Sequence, residues 1–322
     1  MVMVRRHLVM PSSQLLAFTL GRRSIVFPGI GTGAIDTKLH RLASTSNEPT
    51  SASTPLFSAE EARLYSLVSE NHRQPNGPWP QMVSAVESAL KAELTSTTAT
   101  VLDLASGPGE PATTLAKTFP DLQIIATDVS PDMVQIASSN TALLGNIQVE
   151  QANMENLPYE DNMFDIVTCC YGYMFPEDKE KALAETYRVL KPGGSLIATV
   201  WSHMNAMYLP KLIMENVLGE TPPPPPINPL SLAEPGLFQS MLTAAKFESV
   251  VSSKHEYAFD MGKDDLPFQI STLTIMAKLD ELDGWKVAKE VFDKRHLEFG
   301  RFDENNCFIV GGNIYEMVVA KK

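Results

Sequence analysis

The sequence VLDLASGPGEP at residues 101–111 predicts a hydrophobic strand that runs into a glycine turn and then into the start of a helix. A second hydrophobic strand, residues 123–127, ends in Asp128, twenty-one residues after Gly107. In an open α/β sheet this combination binds a nucleoside, because the glycine loop lets the backbone approach the ligand while the acid accepts hydrogen bonds from the ribose hydroxyls. The two features alone are compatible with a dinucleotide and with S-adenosylmethionine.

The residues after Gly109 favour S-adenosylmethionine. The dinucleotide fingerprint uses a third glycine for close helix packing, whereas this chain continues with Glu110 and Pro111. Pro111 suits the first turn of a helix but removes an N–H donor that could face a pyrophosphate, which Glu110 would also repel. The sulfonium and ammonium groups of S-adenosylmethionine are cations, so Asp103 and Glu110 suit them better. The alternative, an ordinary turn between strand and helix, is disfavoured by the downstream pattern.

Strands and helices continue to alternate after this point. Ser130, Pro131 and Asp132 predict a helix start with a capping hydroxyl, an early proline and an acid in the first turn. Another helix is expected over residues 178–190, because basic residues in its last turn precede a proline-glycine-glycine stop. Further strands are predicted at residues 146–150, 164–170 and 195–201. This alternation predicts a parallel doubly wound sheet.

The segment from about residue 98 to residue 201 resembles the class I S-adenosylmethionine-dependent methyltransferase domain, and most closely that of the ubiquinone/menaquinone-biosynthesis C-methyltransferases and their small-molecule relatives. Five motifs carry the resemblance: LDLASGPG at 102–109, TDVS at 127–130 with Met133, LPY at 157–159, FD at 164–165 and RVLKPGG at 188–194. It implies an α/β fold, a Rossmann-like seven-stranded mostly parallel sheet with helices on both faces, an N-terminal helical cover and a helical insert before the last strand.

The resemblance also implies how the cofactor, S-adenosyl-L-methionine, is bound at its methionine and ribose end. Asp103 would anchor the α-amino group directly or through water. Asp128 would accept hydrogen bonds from both ribose hydroxyls, which requires an ionised carboxylate. The backbone of the loop between them would approach the ligand at Ala105, Ser106, Gly107 and Gly109.

At the adenine end, the resemblance implies that Val129 lies along one face of the ring, with Met133 nearby. Asn153 stands where the family commonly has an aspartate that accepts from the adenine amino group, and Met154 would offer its backbone N–H. Cys170 and Tyr171 would line the cleft near the transferable methyl group. Simple core packing is the alternative for Met154 and for both adjacent cysteines, Cys169 and Cys170.

Methyl transfer is an in-line displacement that depends mainly on positioning in a dry cleft, so a base is needed only for an acceptor that loses a proton. His203, near the carboxyl end of the fifth predicted strand, is the first candidate base, with a structural histidine as the alternative. Tyr171 and Tyr173 are further candidates. The quinone enzymes carry an Arg-Asn pair where this chain has Tyr173 and Met174, a departure that argues against a quinone-ring acceptor.

Composition limits the function classes. The 322 residues are 44% hydrophobic and 20% charged, which is ordinary for a globular enzyme. A net charge of −12 without a basic stripe argues against nucleic acid as a partner. Three cysteines provide neither a disulfide framework nor metal-ligand spacing, so no metal is expected. No apolar run approaches the length of an integral membrane segment.

The first 55 residues differ from the rest of the chain. No acid precedes Asp36, serines and threonines are frequent, and the basic residues up to position 45 are Arg5, Arg6, Arg22, Arg23, Lys38 and Arg41. An arginine-rich, acid-poor and hydroxyl-rich start is typical of an organelle transit peptide, so a mitochondrial location is expected, with the plastid as the alternative. A disordered tail without a targeting role is the other reading.

The remaining chain divides into an N-terminal helical cover (56–95), a cofactor-binding core (96–202) and a C-terminal part of the sheet with a helical cap (203–322). In the cover, helices are predicted at 58–72 and 81–94. The resemblance implies that they lie over the cofactor cleft, so that Tyr65 and His72 approach the substrate; the alternative for either is an exposed polar residue on a covering helix. The C-terminal part is predicted to contain helices 210–218 and 234–246, an extended proline run at 222–226, strands 247–259 and 309–320, and a helical insert at 264–300.

These features predict a methyltransferase that acts on a small, apolar or aromatic acceptor. The insert is expected either to cap the cleft or to form a homodimer face. The residues expected to wall the acceptor pocket are Tyr65, Met204, Met207, Tyr208, Ile213 and Trp285, with packing of the cap onto the core as the alternative for each. The alternatives are a non-catalytic assembly factor that keeps the fold and, with less support, a nicotinamide-dependent oxidoreductase.

Overall fold

The structure is a computed structural model, and it describes residues 59–93, 99–222 and 228–322. The expected transit peptide and most of the proline run lie outside these residues. Among the helices of the described part, none is long and apolar enough to cross a membrane.

A single mixed sheet organises the fold. Its strand order is β3-β2-β1-β4-β5-β8-β6, and a two-residue strand, β7, pairs with β8. The strands β1 to β5 run parallel, whereas β8 lies antiparallel between β5 and β6. The predicted seven-stranded, mostly parallel sheet is therefore confirmed, with β7 added. The strand bounds are β1 Thr100–Leu104, β2 Gln123–Asp128, β3 Ile147–Gln151, β4 Phe164–Cys170, β5 Leu190–Met204, β6 Glu248–Asp260, β7 Arg301–Phe302 and β8 Phe308–Lys321.

The central strands are buried on both faces, as hydrophobic parallel strands are when helices cover both sides of a sheet. From β1 the chain moves outward through β2 to β3, and it then returns to the other side of β1 with β4 and β5. This reversal leaves a crevice at the carboxyl ends of β1 and β4, where ligands bind in open α/β sheets. Asp103 pairs with Thr168 at this edge of the sheet.

The helices follow the predicted positions closely. Their bounds are α1 Ala59–Ser69, α2 Pro78–Glu93, α3 Ala112–Thr118, α4 Pro131–Thr141, α5 Lys179–Val189, α6 Tyr208–Leu218, α7 Leu237–Ala244, α8 Leu266–Thr272, α9 Met276–Glu281 and α10 Trp285–Arg295. A 3-10 turn, Glu70–Arg73, follows α1. One local prediction was wrong: α3 begins at Ala112, so Pro111 occupies the N-cap position and not the first turn.

The fifth strand is longer than the predicted residues 195–201. It begins directly after α5, because the Gly193 N–H donates to the carbonyl of Lys322 (2.9 Å) and the Lys322 N–H donates to the carbonyl of Gly194 (3.0 Å). The partner strand at the end of the chain therefore extends β5, and a local pattern cannot reveal such a partner.

The cap has a small core of its own. This second hydrophobic cluster joins α6 to α9 and α10 and includes fully buried Ile213, with Trp285 packed against it. For Ile213 and Trp285 this packing supports the alternative, that they hold the cap together. Met204 packs against the main core, and Tyr208 is 45% exposed.

Candidate functional site

The glycine loop after β1 requires unusual backbone conformations. Ala105, Gly107 and Gly109 all have positive φ angles, of 52°, 56° and 102°. A Cβ at Gly109 would lie 3.3 Å from Ala137 of α4, so glycine also permits close helix packing at this point. The Ser106 N–H donates to the carbonyl of Thr127 (2.8 Å), which holds the loop against the end of β2.

Asp128 joins the end of β2 to the glycine loop. One carboxylate oxygen accepts from the Gly107 N–H and the other from the Ser130 N–H, each at 2.9 Å. Burial raises the pKa of Asp128, while these backbone donors oppose that shift. Each oxygen keeps a second lone pair, so the carboxylate can still accept two ribose hydroxyls.

Asp103 has a buried oxygen that lacks a partner. Its Oδ1 accepts from the Thr168 hydroxyl at 2.6 Å, whereas Asp103 Oδ2 and Ser106 Oγ have no hydrogen-bond partner within the described part of the chain. Burial raises the pKa of Asp103 to about 7, while the nearby Ser106 hydroxyl, the Thr168 hydroxyl and the Ala112 N–H oppose that shift. A buried acceptor without a donor costs free energy unless a ligand supplies the donor. The ammonium group of S-adenosylmethionine would supply it, so these residues fit the cofactor.

The residues expected at the adenine end lie beyond β2 and β3. Val129 is 41% exposed, whereas Met133 is buried on α4. The side-chain oxygen of Asn153 already accepts from the Glu155 N–H at 2.9 Å, which leaves one lone pair for an adenine amino group. Met154 reaches back toward β4, since its Cε would lie 3.3 Å from a Cβ at Gly172.

The end of β4 touches the glycine loop. A Cβ at Gly172 would lie only 2.7 Å from the Cβ of Ala105, so glycine is required for this approach. The preceding Tyr171 has a φ of 57°, a strained conformation for a bulky residue and one that clusters at functional sites. Cys169 and Cys170 are buried, and burial raises the pKa of both thiols, which supports the packing alternative for them.

Two of the candidate catalytic residues lie elsewhere. His203 Nε2 hydrogen-bonds to Asn205 Oδ1 (2.9 Å), and its ring packs near Tyr208 at the base of the cap. The Tyr173 hydroxyl pairs with Thr186 on α5 at 2.7 Å. The structure therefore does not bring His203 or Tyr173 together with the glycine loop. Of the expected bases, only Tyr171 lies beside it.

The N-terminal cover is fixed to the loop by a residue that sequence reasoning missed. Arg73 donates to Glu110 (2.6 Å) and to Thr114 (3.1 Å), and its guanidinium lies 4.7 Å from the ring centroid of Trp79. Glu110 also accepts from the Thr114 N–H at the start of α3. The Glu110 charge is therefore paired with Arg73. This favours a structural role for Glu110 over the expected contact with the cofactor's cations.

Tyr65 on α1 lies directly over the loop. Its Cε1 would be 3.7 Å from a Cβ at Gly107. Burial, and then the nearby Cys170 and Asp128, raise the pKa of the Tyr65 hydroxyl. Tyr65 therefore lies near both Asp128 and Cys170, and its approach to the substrate stays a prediction.

Known proteins share this core. Residues 101–194 match the Methyltransferase domain family. The ubiquinone/menaquinone biosynthesis C-methyltransferase UbiE of Enterobacter sp. (strain 638) is 39% identical over 107 residues, which are 32% of this chain and 43% of that protein. UbiE of Psychromonas ingrahamii is 39% identical over 106 residues, 32% of this chain and 42% of the relative. The chain thus spans less than half of the length of these relatives.

Solved structures support the fold alone. The YcgJ protein of Bacillus subtilis has a TM-score of 0.50 and 21% identity, covering 76% of this chain and 97% of its own. Phosphoethanolamine N-methyltransferase 2 of Haemonchus contortus was solved with phosphomonomethylethanolamine and S-adenosylhomocysteine. It has a TM-score of 0.50 and 16% identity, and the match covers 83% of this chain and 58% of that protein. The glycine loop, Asp128 and the unpaired Asp103 oxygen all agree with the domain match. Residues 101–194 form a class I S-adenosylmethionine-dependent methyltransferase domain.

Proposed function

We propose that this protein transfers the methyl group of S-adenosylmethionine to a small, apolar or aromatic acceptor. The observation that carries the proposal is the buried Asp103 oxygen without a donor, next to a glycine loop that Asp128 holds in place. These groups suit a ligand with an ammonium and a ribose. A nicotinamide cofactor would instead place a pyrophosphate against the loop, which lacks the third glycine of the dinucleotide fingerprint.

The bound cofactor supplies an electrophilic methyl group on a sulfonium. Asp103 and Ser106 would hold the amino acid end, and Asp128 would hold the ribose. The end of β4, at Cys170 and Tyr171, would border the acceptor. The cover excludes water from this region, since Leu64 and Trp79 are almost fully buried, and a dry, positioned acceptor is the main requirement for the displacement.

Calorimetry with S-adenosylmethionine and S-adenosylhomocysteine tests the proposal directly. The full chain should bind both, and Asp128→Ala should weaken binding by on the order of 3–6 kcal/mol, because two hydrogen bonds to a charged acceptor are lost. Asp121→Ala, which removes an exposed acid just before β2, is the matched control and should bind normally. Unchanged affinity in Asp128→Ala would refute the ribose assignment.

The acceptor class has its own test. Protein incubated with labelled S-adenosylmethionine and an organellar metabolite extract should transfer label to the organic phase. Label confined to water-soluble products would refute an apolar acceptor. Cofactor binding without transfer to any component would favour the alternative, a non-catalytic factor with this fold.

The sequence also supports a mitochondrial location, with the plastid as the alternative. The support is the arginine-rich, acid-poor segment before Asp36. A fluorescent fusion of residues 1–55 should enter the organelle, and replacing Arg5, Arg6, Arg22 and Arg23 by Glu should leave it in the cytosol. A diffuse unmodified fusion would contradict the targeting proposal.

A homodimer through the cap is the remaining proposal. Leu282 and Val287, on and beside α10, are 38% and 39% exposed, and they offer an apolar surface for a second copy. Sedimentation equilibrium at micromolar concentration should give twice the chain mass, and Val287→Lys should restore the monomer. A monomer for the unmodified protein would end this proposal.

A further inference from the structure

A cavity of about 410 Å³, the size of a small-molecule site, lies between α2 and the starts of β4 and β5. Asp165 of its wall and Cys170 stand at opposite ends of β4. Because a strand rises about 3.3 Å per residue, the cavity is about 17 Å along β4 from the cofactor crevice. The cavity is therefore separate from the residues that would hold the cofactor. Its apolar lining is Ala89, Ile166 and Pro192, and its polar lining is Asp165, Lys191 and Ser195.

Asp165 has one carboxylate oxygen that is fully used and one that is open. Its Oδ2 accepts from the Thr100 N–H, from the Thr100 hydroxyl and from Lys191 Nζ, each at 2.8 Å. Its Oδ1 has no hydrogen-bond partner within the described part of the chain, and it is not a buried atom, so it is open to solvent. Burial would raise the pKa of Asp165, but Lys191 and Thr100 hold it below its usual value. Asp165 therefore offers a charged acceptor to the cavity.

Hydrogen-bond donors stand beside that acceptor. Lys191 gives one of its three N–H groups to Asp165, and its side chain is 40% exposed, so the other two can turn toward the cavity. Ser195 is almost fully buried, and its Oγ accepts from Lys321 Nζ at 2.8 Å, which leaves the hydroxyl hydrogen to be donated. The polar lining thus places two kinds of donor next to one carboxylate acceptor, and the Lys191–Asp165 pair has no net charge.

Small residues keep the space in front of these groups open. Gly193 and Gly194 also line the cavity. A Cβ at Gly194 would lie 2.8 Å from the carbonyl oxygen of Lys191 and 2.9 Å from that of Asp165, so glycine is required where β5 meets β4. At Gly193 a Cβ would meet no atom within 4 Å. Ala89 contributes only a methyl group from the side of α2, so the cavity keeps an apolar region opposite its charged pair.

We propose that this cavity binds a small zwitterion, an α-amino acid with an apolar side chain. The ammonium group pairs with Asp165 Oδ1, the carboxylate accepts from Lys191 and Ser195, and the side chain lies against the apolar lining. Both contacts are charge-assisted, and the neutral pair matches a neutral ligand. A ligand with a single charge would leave one member of the pair unmatched and place its own charge beside a like one. Such a site is independent of the methyl transfer proposed above.

Norleucine, hexanoate and pentylamine dissect the two charges, since hexanoate lacks the ammonium group and pentylamine lacks the carboxylate. Binding to the full chain is followed by NMR at the amides of Gly193 and Gly194, while Gly107 and Gly109 report binding at the cofactor loop. Norleucine should shift Gly193 and Gly194 with a dissociation constant on the order of 1 mM. It should bind about tenfold tighter than either other probe. Equal binding of the three probes, no saturable shift, or shifts confined to Gly107 and Gly109 would overturn the proposal.

Two variants should change the probe preference in opposite directions. Lys191→Met leaves the carboxylate alone, so pentylamine should bind more tightly than hexanoate. Asp165→Asn leaves the ammonium alone, so hexanoate should bind more tightly than pentylamine. An ion pair with only a structural role would not produce this reversal. Lys181→Met, which removes an exposed lysine of α5 outside the cavity, is the matched control and should bind all three probes normally. The same order of probes in both charge variants would contradict the assignment.

Ala89→Leu tests the cavity without changing its charges. The larger side chain would fill the space beside Ala89, so norleucine should bind about tenfold more weakly. Ala92→Leu, at an exposed position of the same helix, is the control and should bind normally. Unchanged affinity in Ala89→Leu would overturn the proposal, and this variant decides it if either charge variant does not fold. Failure of S-adenosylhomocysteine to bind would refute the proposed function alone, since norleucine is titrated without it.

Discussion

The two sides of the cleft are built in different ways. On the cofactor side, Asp103, the glycine loop and Asp128 come from 26 consecutive positions along one strand-helix-strand unit. The other side is an aromatic wall that includes His72, Tyr171 and Tyr257, and in it His72 and Tyr257 are hydrogen-bonded although they are 185 residues apart. A constant cofactor can be held by one local unit with backbone donors. The aromatic side instead combines side chains from segments that are distant along the chain.

The junction between the two sides should be the most sensitive point. A Cβ at Gly172 would lie 2.5 Å from Cys169 Sγ and 2.7 Å from the Cβ of Ala105. Gly172→Ala should therefore destabilise the protein by on the order of 3 kcal/mol and weaken binding on both sides of the cleft. Urea unfolding measures the loss. Gly145→Ala, where a Cβ meets open space, is the control, and equal costs would show that the junction is not tight.

Cofactor affinity should depend on pH through Asp103. Its pKa is raised to about 7 by burial, and only the ionised form can pair with the cofactor's ammonium. Affinity should therefore fall roughly tenfold for each pH unit below about 7, or about 2.7 kcal/mol by pH 5. Asp103→Asn should bind weakly with a flat profile in calorimetry between pH 5 and 8. A flat profile for the unmodified protein would remove Asp103 from the site.

The aromatic side should also respond to acid, through the stability of the fold. His72 has a pKa of about 3 in the fold against 6.5 in the unfolded chain. Below pH 6.5 the unfolded state therefore binds a proton that the folded state does not, and stability falls by about 1.4 kcal/mol per pH unit. The rings packed against His72 belong to Trp79, Tyr171, Tyr257 and Phe259, and none of them ionises at acid pH.

Asp103 compensates this loss, because its pKa of about 7 in the fold exceeds the unfolded value of 3.8, so the folded state gains protons over the same range. His72→Asn should expose that compensation. Relative to the unmodified protein, the variant should gain about 2 kcal/mol as the pH falls from 6.5 to 5. Urea unfolding at both pH values measures the difference, and parallel profiles would mean that His72 is not buried as a neutral group.

Removing the Arg73 clamp, which is the set of hydrogen bonds from Arg73 to Glu110 and Thr114, should have the smallest effect. Arg73→Gln removes its bonds to Glu110 and Thr114, which hold the cover on the loop. Because the Arg73 side chain is 46% exposed, the free energy of unfolding should fall by only about 1 kcal/mol. Cofactor affinity should be reduced severalfold. Arg295→Gln, which breaks the exposed pair with Glu298, should leave affinity unchanged. Identical affinities in the two variants would show that the clamp does not support the loop.

Most of the cofactor side could be predicted from sequence because its signals are local. A glycine with positive φ, a capping serine and an acid at the end of a strand each act over a few residues, and their spacing follows from the strand-helix-strand unit. The two errors here concern Pro111 and Glu110. The helix starts one residue later than Pro111 suggested, and Arg73, brought in by the turn after α1, pairs the Glu110 charge.

The aromatic side depends on tertiary structure. The sequence indicated that Tyr65 and His72 approach the cleft, and it placed Tyr171 there, but it preferred His203, which binds Asn205 instead. Nothing local marks Tyr257, since β6 reaches the wall only by pairing with β8 at the far end of the chain. By itself, the sequence determined the α/β core and located the glycine loop, Asp103 and Asp128 at its edge. Only the tertiary structure decided which distant side chains form the aromatic wall, because antiparallel pairing and helix packing, not spacing along the chain, bring them together.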